Sequence, residues 1–416
     1  MRQRGIVFLG KRRSFSVFLF EVLAFLYIAH KILPAVGHYM PGVLYLGLVA
    51  AVFVFAFFIS VSKTTVSASV RLLAVFGVSL LEFVLYLIKG NVVAGATYMY
   101  GEVQIFLYAL IAIAFIYRND YNQIKNIINL IFVSYAITAI TTFIGNNKYE
   151  GASRLLATLD NSDPTRQLYA SQNIGGFVLI YELVLIVPLI IYMIKKKRMN
   201  RALGWGLIIL LGMTIMSSEY TTALLMYVFS LTLFLIPKIT KRKIIVLVIV
   251  LVILFIINSL YFADLFEYLS ENIQSETLSV RFAELAELLR EGESSADGNA
   301  TNRMDLYKKS IVSFFESGMM GVWNSSGTGG HSFVFDTMGK FGVIGILAMI
   351  VMYRMIYKMF IGPYRREDFY PYLFFIYMIA IFMAFINPKT YLFIFICLIP
   401  LFAQKMVLKR IEREGF

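Results

Sequence analysis

Apolar positions in this chain come in long unbroken runs, at about 15–33, 42–60, 70–88, 102–118, 124–145, 174–194, 202–217, 219–237, 243–261, 332–358, 369–386 and 390–408. A hydrocarbon layer of roughly 30 Å takes about 20 apolar residues per helical crossing. The backbone can be satisfied in lipid only within a helix or a closed barrel. The runs lack the two-residue alternation of barrel strands. The pattern therefore predicts an all-α, polytopic integral membrane protein with about 12 transmembrane helices, a single multi-pass domain over 1–416.

The polar breaks between the runs are of two kinds. With the N-terminus inside, basic residues collect on every second connection: "KRR" at 11–13, Lys63 and Arg71, Arg118 and Lys125, "KKKRMNR" at 195–201, "KITKRK" at 238–243, Arg354 to Arg366, and "KMVLKRIER" at 405–413. Retention of Lys and Arg in the cytoplasm makes these the inner face. This predicts a cytoplasmic (inner) membrane protein with both termini cytoplasmic. The opening "MRQRGIVFLGKRRSF" has no small-residue cleavage site after the apolar run that follows it, so the first span is read as uncleaved. On the outer face two loops exceed a simple connector: 146–173, and 262–331 between spans 9 and 10. Long insertions on one face suggest a working surface there.

In the larger loop 11 acids stand against 5 bases, so it is no basic patch. Leu278, Phe282, Leu285 and Leu289 recur at helical spacing and predict an amphipathic helix able to lie along the membrane interface. "EGESSADGNAT" breaks it. A second helix is expected at about 303–317, with Asn302 as N-cap, Asp305 three residues later and Gly318 as the stop. Arg303 would then fall in the first turn, where exposed amides favour an anion; the alternative is an ion pair with Asp305 or an acid of the preceding loop. Arg154 and Arg166 are the notable cations of the smaller loop, and Gln172 and Asn173 stand just before the next span.

Composition narrows the classes. Apolar residues make up 59% of the chain and charged residues 15%, with a mean hydropathy of +0.75, far from a soluble domain. The net charge of +13 reads as an orientation signal, so nucleic acid is not an expected partner. The single cysteine, Cys397, lies in an apolar run and excludes a disulfide framework and a thiolate metal site. His331 follows glycines 327, 329 and 330 at the outer mouth of the tenth run. Those glycines allow close backbone approach. Imidazole suits general-base work near neutrality better than other side chains of the outer loops, although a histidine at an interface also serves as a hydrogen-bonded structural residue. No "GK[ST]" follows, so the tract is not a nucleotide phosphate loop.

Taken in order, "GASRLLATLDN", "NRMDLYKKSIVSFFESGMMGVW" and "GTGGHSFVFDTMGKFGVIG" resemble the bacterial polysaccharide polymerase and O-antigen ligase superfamily, which includes the Wzy-type polymerases. The shared pattern is an Arg early in the first long outer loop, a second Arg opening a helix in the large loop, then a glycine turn, a His and a helix with spaced glycines. The chain departs from it at Met320, where the family has Pro, and at Ser332, where Asn is common. It departs also in "SSEYTTALLMY", where Glu219 and Tyr220 stand in place of an Arg.

The resemblance implies transfer of a glycan from polyprenyl (undecaprenyl) pyrophosphate to a sugar hydroxyl at the outer leaflet. No cofactor or metal is implied, which fits the lack of an Asp-x-Asp motif. It places Arg154 and Arg303 on the pyrophosphate and His331 as base. Arg281, Asp305, Gly329, Gly330, Asn173 and Glu219 are the substrate-binding candidates. The implied partners are the undecaprenyl-pyrophosphate-linked oligosaccharide, membrane lipid and a chain-length regulator protein. Polymerase and ligase differ only in acceptor. A flippase or transporter is the rival class, with Glu21, Glu82 and Glu182 as a proton relay, or as residues bonded to neighbouring helices.

Overall fold

The computed structural model describes residues 15–59, 71–160, 162–257, 259–273, 275–291, 299–324, 327–387 and 392–414, without the side chains of 59, 251–257, 259, 288, 291, 299–303, 413 and 414. Among the described residues there is no strand. In chain order the helices are α1 (Phe15–Ile32), α2 (Pro34–Tyr39), α3 (Gly42–Ile59), α4 (Arg71–Ile88), α5 (Val92–Arg118) and α6 (Tyr121–Lys148). Next come α7 (Ala152–Leu155), α8 (Pro164–Ser171), α9 (Phe177–Lys195), α10 (Arg201–Ser217), α11 (Thr221–Phe234) and α12 (Lys241–Ile257). The large loop holds α13 (Ser259–Asn272), α14 (Glu276–Glu291) and α15 (Asn299–Glu316), and α16 (Phe333–Ile356), α17 (Tyr370–Ile386) and α18 (Ile399–Glu414) close the chain.

Helices α1, α4, α5, α6, α9 and α16 are long and apolar enough to cross a membrane, α16 being counted with its continuation to Tyr364; α3, α10, α11 and α17 are shorter apolar helices. Both faces of such helices are apolar. In α10, Ile208, Leu211 and Ile215 are buried while Leu203, Ile209 and Met213 are exposed. Water would penalise that outer face and lipid does not. This is the architecture of a multi-pass membrane protein. At its centre lies α9, buried from Leu179 to Ile194 and packed by α10, α11 and α17.

The two ends of the bundle differ in chemistry. At one end the basic connections meet: Gln404 donates to Asn119 at 2.6 Å, Arg410 to Glu367 at 2.9 Å, and Lys196 pairs with Asp368 at 3.1 Å. At the other end the long loops gather. Asn146 donates to Ser218 at 2.9 Å, Ala35 N donates to the Asn173 carboxamide at 3.2 Å, and Phe333 N donates to Asn387 O at 3.2 Å. We refer to these as the basic end and the loop end.

Four elements differ from the sequence expectation. Helix α5 starts ten residues ahead of its apolar run, because Asn91 caps it by accepting from Ala94 N at 3.1 Å. The apolar stripe of α14 is turned onto α13, where Leu278 and Phe282 pack with Ala263 and Phe266; a neighbouring helix, not lipid, covers it. Helix α15 starts at Asn299, so Asn302 is inside the helix and Arg303 is its fifth residue, past the first turn. Its expected stop is observed, with Gly318 at φ +60°. Finally, α16 is broken at Gly342 (φ 59°, ψ −141°), a conformation only glycine adopts readily. The carbonyls of Gly339 and Lys340 are taken instead by Val322 N and Trp323 N at 3.0 and 2.9 Å, and Val343 N donates to Met319 O at 3.0 Å. Residues 319–323 thus satisfy the backbone that the break releases.

Candidate functional site at the loop end

The glycine tract before α16 is held by a single carboxylate. Asp336, in the first turn of α16, accepts from Gly330 N at 3.0 Å and Ser310 Oγ at 2.7 Å through one oxygen, and from Ser332 N at 2.9 Å through the other. Ser310 in turn accepts from Gly329 N at 2.9 Å, and Ser332 caps α16 by accepting from Phe335 N at 3.1 Å. The amides on both sides of His331 are therefore fixed, while its imidazole is exposed. Gly329 is required by packing, since a Cβ there would stand 2.3 Å from Leu306 O. The tract lies against α15 one helical turn beyond Arg303. The side chain of Arg303 is outside the described residues; its place on α15 puts its backbone close to the tract. Asp305, two residues on, is exposed.

A second cluster forms around the first loop. Arg154 in α7 is half-buried and lies within electrostatic reach of the Tyr220 phenol. Tyr220 donates to Ser153 O at 3.1 Å. Glu219 is buried, with a left-handed backbone (φ 58°), and accepts from Ser275 Oγ at 2.7 Å. The glycine ahead of α7, Gly151, comes within 3.8 Å of the other Glu219 oxygen, counted from where its Cβ would be. Arg154, Glu219 and Tyr220 are thus brought together, and Ser275 ties them to the start of α14.

Other candidates are committed elsewhere. Arg281 pairs with Glu284 on its own helix at 2.9 Å. Asn173 is a buried fastener: it accepts from Ala35 N and donates to Thr138 and Thr141. Arg166 donates to Leu159 O within its own loop. Acids of the spans also have partners: half-buried Glu82 pairs with Lys340 at 3.0 Å, and buried Glu182 accepts from the Tyr135 hydroxyl at 2.7 Å beside Lys31. Sequence reasoning passed over Asp336 and Ser310. Their signal was present: an acid four residues after a Ser cap, in otherwise apolar sequence, faces its own helix N-terminus.

Among the described residues no three His, Cys, Asp or Glu side chains gather closely enough to hold a metal ion. No family model matches the chain, and no curated protein or solved structure matches it.

Proposed function

We propose that the chain is a polysaccharide polymerase. It would span the cytoplasmic membrane twelve times and transfer a glycan from polyprenyl pyrophosphate to a sugar hydroxyl of a lipid-linked acceptor at the outer leaflet. The observation that carries this reading is the Asp336 clamp on both sides of His331, which fixes the backbone of an exposed imidazole at the loop end. The segregation of basic connections to the opposite end supports the orientation.

In the proposed step the acceptor hydroxyl attacks the anomeric carbon as the bond to the pyrophosphate oxygen breaks. The proton passes to His331, and the leaving pyrophosphate keeps the bonding pair. Arg154 and Arg303 would stabilise the charge that grows on it, an effect largest where water is excluded. A positioned base contributes typically about 10²–10⁴-fold. The pairing of Glu82 and Glu182 with lysines on neighbouring helices weighs for structural roles rather than a proton relay.

The test replaces His331 with Ala. Cells should make single repeat units without long chains while the protein stays in the membrane; chains of normal length would refute the assignment.

A further inference from the structure

Helices α1 and α6 run side by side from the basic end toward the loop end. Asn119, just ahead of α6, bonds Gln404 at the basic end, and Ile32 O at the close of α1 accepts from Thr138, well along α6, at 2.9 Å. Between the two helices, backed by Phe115 of α5, lies a crevice of about 180 Å³. Glu21, Gln123 and Asn126 line it nearer the basic end. Phe25 lies about 6 Å beyond Glu21 along α1, and Leu130 about 10 Å beyond Gln123 along α6, at roughly 1.5 Å per residue. Phe18, Val22 and Leu130 on its rim are exposed, so among the described residues the crevice opens on the lipid-facing side of the bundle.

Gln123 is 1% exposed, and its carboxamide is satisfied on one side only. Arg118 Nε donates to its oxygen at 3.0 Å. A guanidinium can only donate, which fixes the oxygen toward Arg118 and leaves Nε2 as a donor on the other side. That Nε2 is buried and makes no hydrogen bond among the described residues. A buried donor without an acceptor is costly in hydrocarbon, so the fold leaves a place for an acceptor. Glu21, on the facing wall and within electrostatic reach of Arg118, adds a carboxyl to the same crevice. From the basic end toward the middle of the bundle the crevice thus offers polar groups and then an apolar slot. A phospholipid has the same order, from headgroup through ester to acyl chain. The ammonium of an ethanolamine head suits Glu21, and an ester or phosphate oxygen suits Nε2; a choline head has no N–H to donate.

We propose that this crevice binds one phosphatidylethanolamine molecule, its ammonium on Glu21, a phosphate or ester oxygen on Gln123 Nε2, and one acyl chain along Val22, Phe25 and Leu130. The lipid closes the gap between α1 and α6. The site lies at the end of the bundle opposite His331 and is independent of the glycan-transfer reading.

The experiment titrates the full chain in detergent with phosphatidylethanolamine, phosphatidylcholine or phosphatidylglycerol of identical acyl chains and counts bound lipid by native mass spectrometry. One phosphatidylethanolamine should bind about 10-fold or more tightly than phosphatidylcholine, the size of a charge-assisted contact. Glu21→Gln should erase that preference. Gln123→Met, which keeps the length but removes the donor, should weaken both lipids alike. Val22→Trp alters only the lipid-facing wall and fills the slot, so it should remove the tight site with both polar groups intact, even where the polar variants do not fold. Equal affinity for the ethanolamine and choline lipids in the unsubstituted chain, or tighter binding of phosphatidylglycerol, would overturn the headgroup assignment. A preference retained in folded Glu21→Gln, unweakened binding in folded Gln123→Met, or tight binding by Val22→Trp would overturn the site.

Discussion

His331 owes its position to hydrogen bonds that its own side chain does not make. Three donors converge on Asp336, two of them the amides flanking His331, and each bond to a carboxylate contributes about 1.5–3 kcal/mol. Asp336→Asn keeps the shape but turns one acceptor into a donor, facing either Ser332 N or the Gly330 and Ser310 donors. We expect stability to fall by about 2 kcal/mol. Transfer should slow by about 10²-fold, the scale of a misplaced group. Asp336→Asn should leave slowed transfer, whereas His331→Ala should lower it by the about 10²–10⁴-fold that a positioned base contributes. Undiminished transfer in His331→Ala would exclude it as the base. The sequence made His331 conspicuous through the glycines that precede it. Asp336 carried a local signal as an acid four residues after a Ser cap, but nothing local tells which amides a first-turn carboxylate reaches. Asn173 stands out in the sequence only as a polar residue beside a loop; its φ of 59° and three side-chain bonds tie the chain ahead of α9 to α2 and α6.

At the scale of elements, Gly342 and the hairpin of α13 with α14 give the sharpest expectations. A Cβ at Gly342 would stand 2.2 Å from Met319 O, on a backbone at φ +59°. Gly342→Ala should therefore cost about 2–5 kcal/mol, strain and overlap together, read as a lowered Tm in detergent; an unshifted Tm would mean that the break is not held. In the hairpin, Arg290 bridges Asp264 at 2.6 Å and Glu267 at 2.5 Å. The hydrogen bond and charge of Arg290 hold the Glu267 carboxyl below its ordinary value of 4.5. A depressed carboxyl contributes stability that is complete above its unfolded value and is lost as pH falls through the folded one. Protection of the hairpin amides, measured against their intrinsic exchange rates, should therefore fall as pH drops below about 4.5, modestly because the pair is exposed, and Arg290→Gln should flatten that dependence. Helices α14 and α16 were legible in apolar periodicity, whereas α13 was not read from the sequence. The break in α16 was not, because its cause is a contact with residues 319–323 rather than the run itself. The apolar stripe of α14 was read correctly, but periodicity cannot say whether lipid or α13 covers it.

For the whole molecule the question is whether the chemical division between its ends is a division across a bilayer. The loop end carries Arg154, Glu219 and His331; the basic end carries Lys196, Arg198, Arg366 and Arg410. The proposed reaction needs the first set outside, where a lipid-linked glycan already flipped across the membrane would meet it. The tendency of Lys and Arg to be retained inside favours the same orientation on independent grounds. The only cysteine, Cys397, is buried, so single cysteines placed elsewhere can be labelled against a quiet background. Thr158, Asp305, His331, Lys197 and Arg366 are all exposed, and reactivity at each therefore reports side rather than burial. Cysteines at 158, 305 and 331 should react with a membrane-impermeant maleimide in intact cells, and those at 197 and 366 only after permeabilisation. Labelling of 197 or 366 in intact cells alongside 331 would break the alternation of spans. Labelling of 197 and 366 without 331 would invert it and leave His331 facing a compartment without the acceptor. Either result removes the physical basis for glycan transfer, since cationic groups can stabilise a departing pyrophosphate only on the side where the bond is broken.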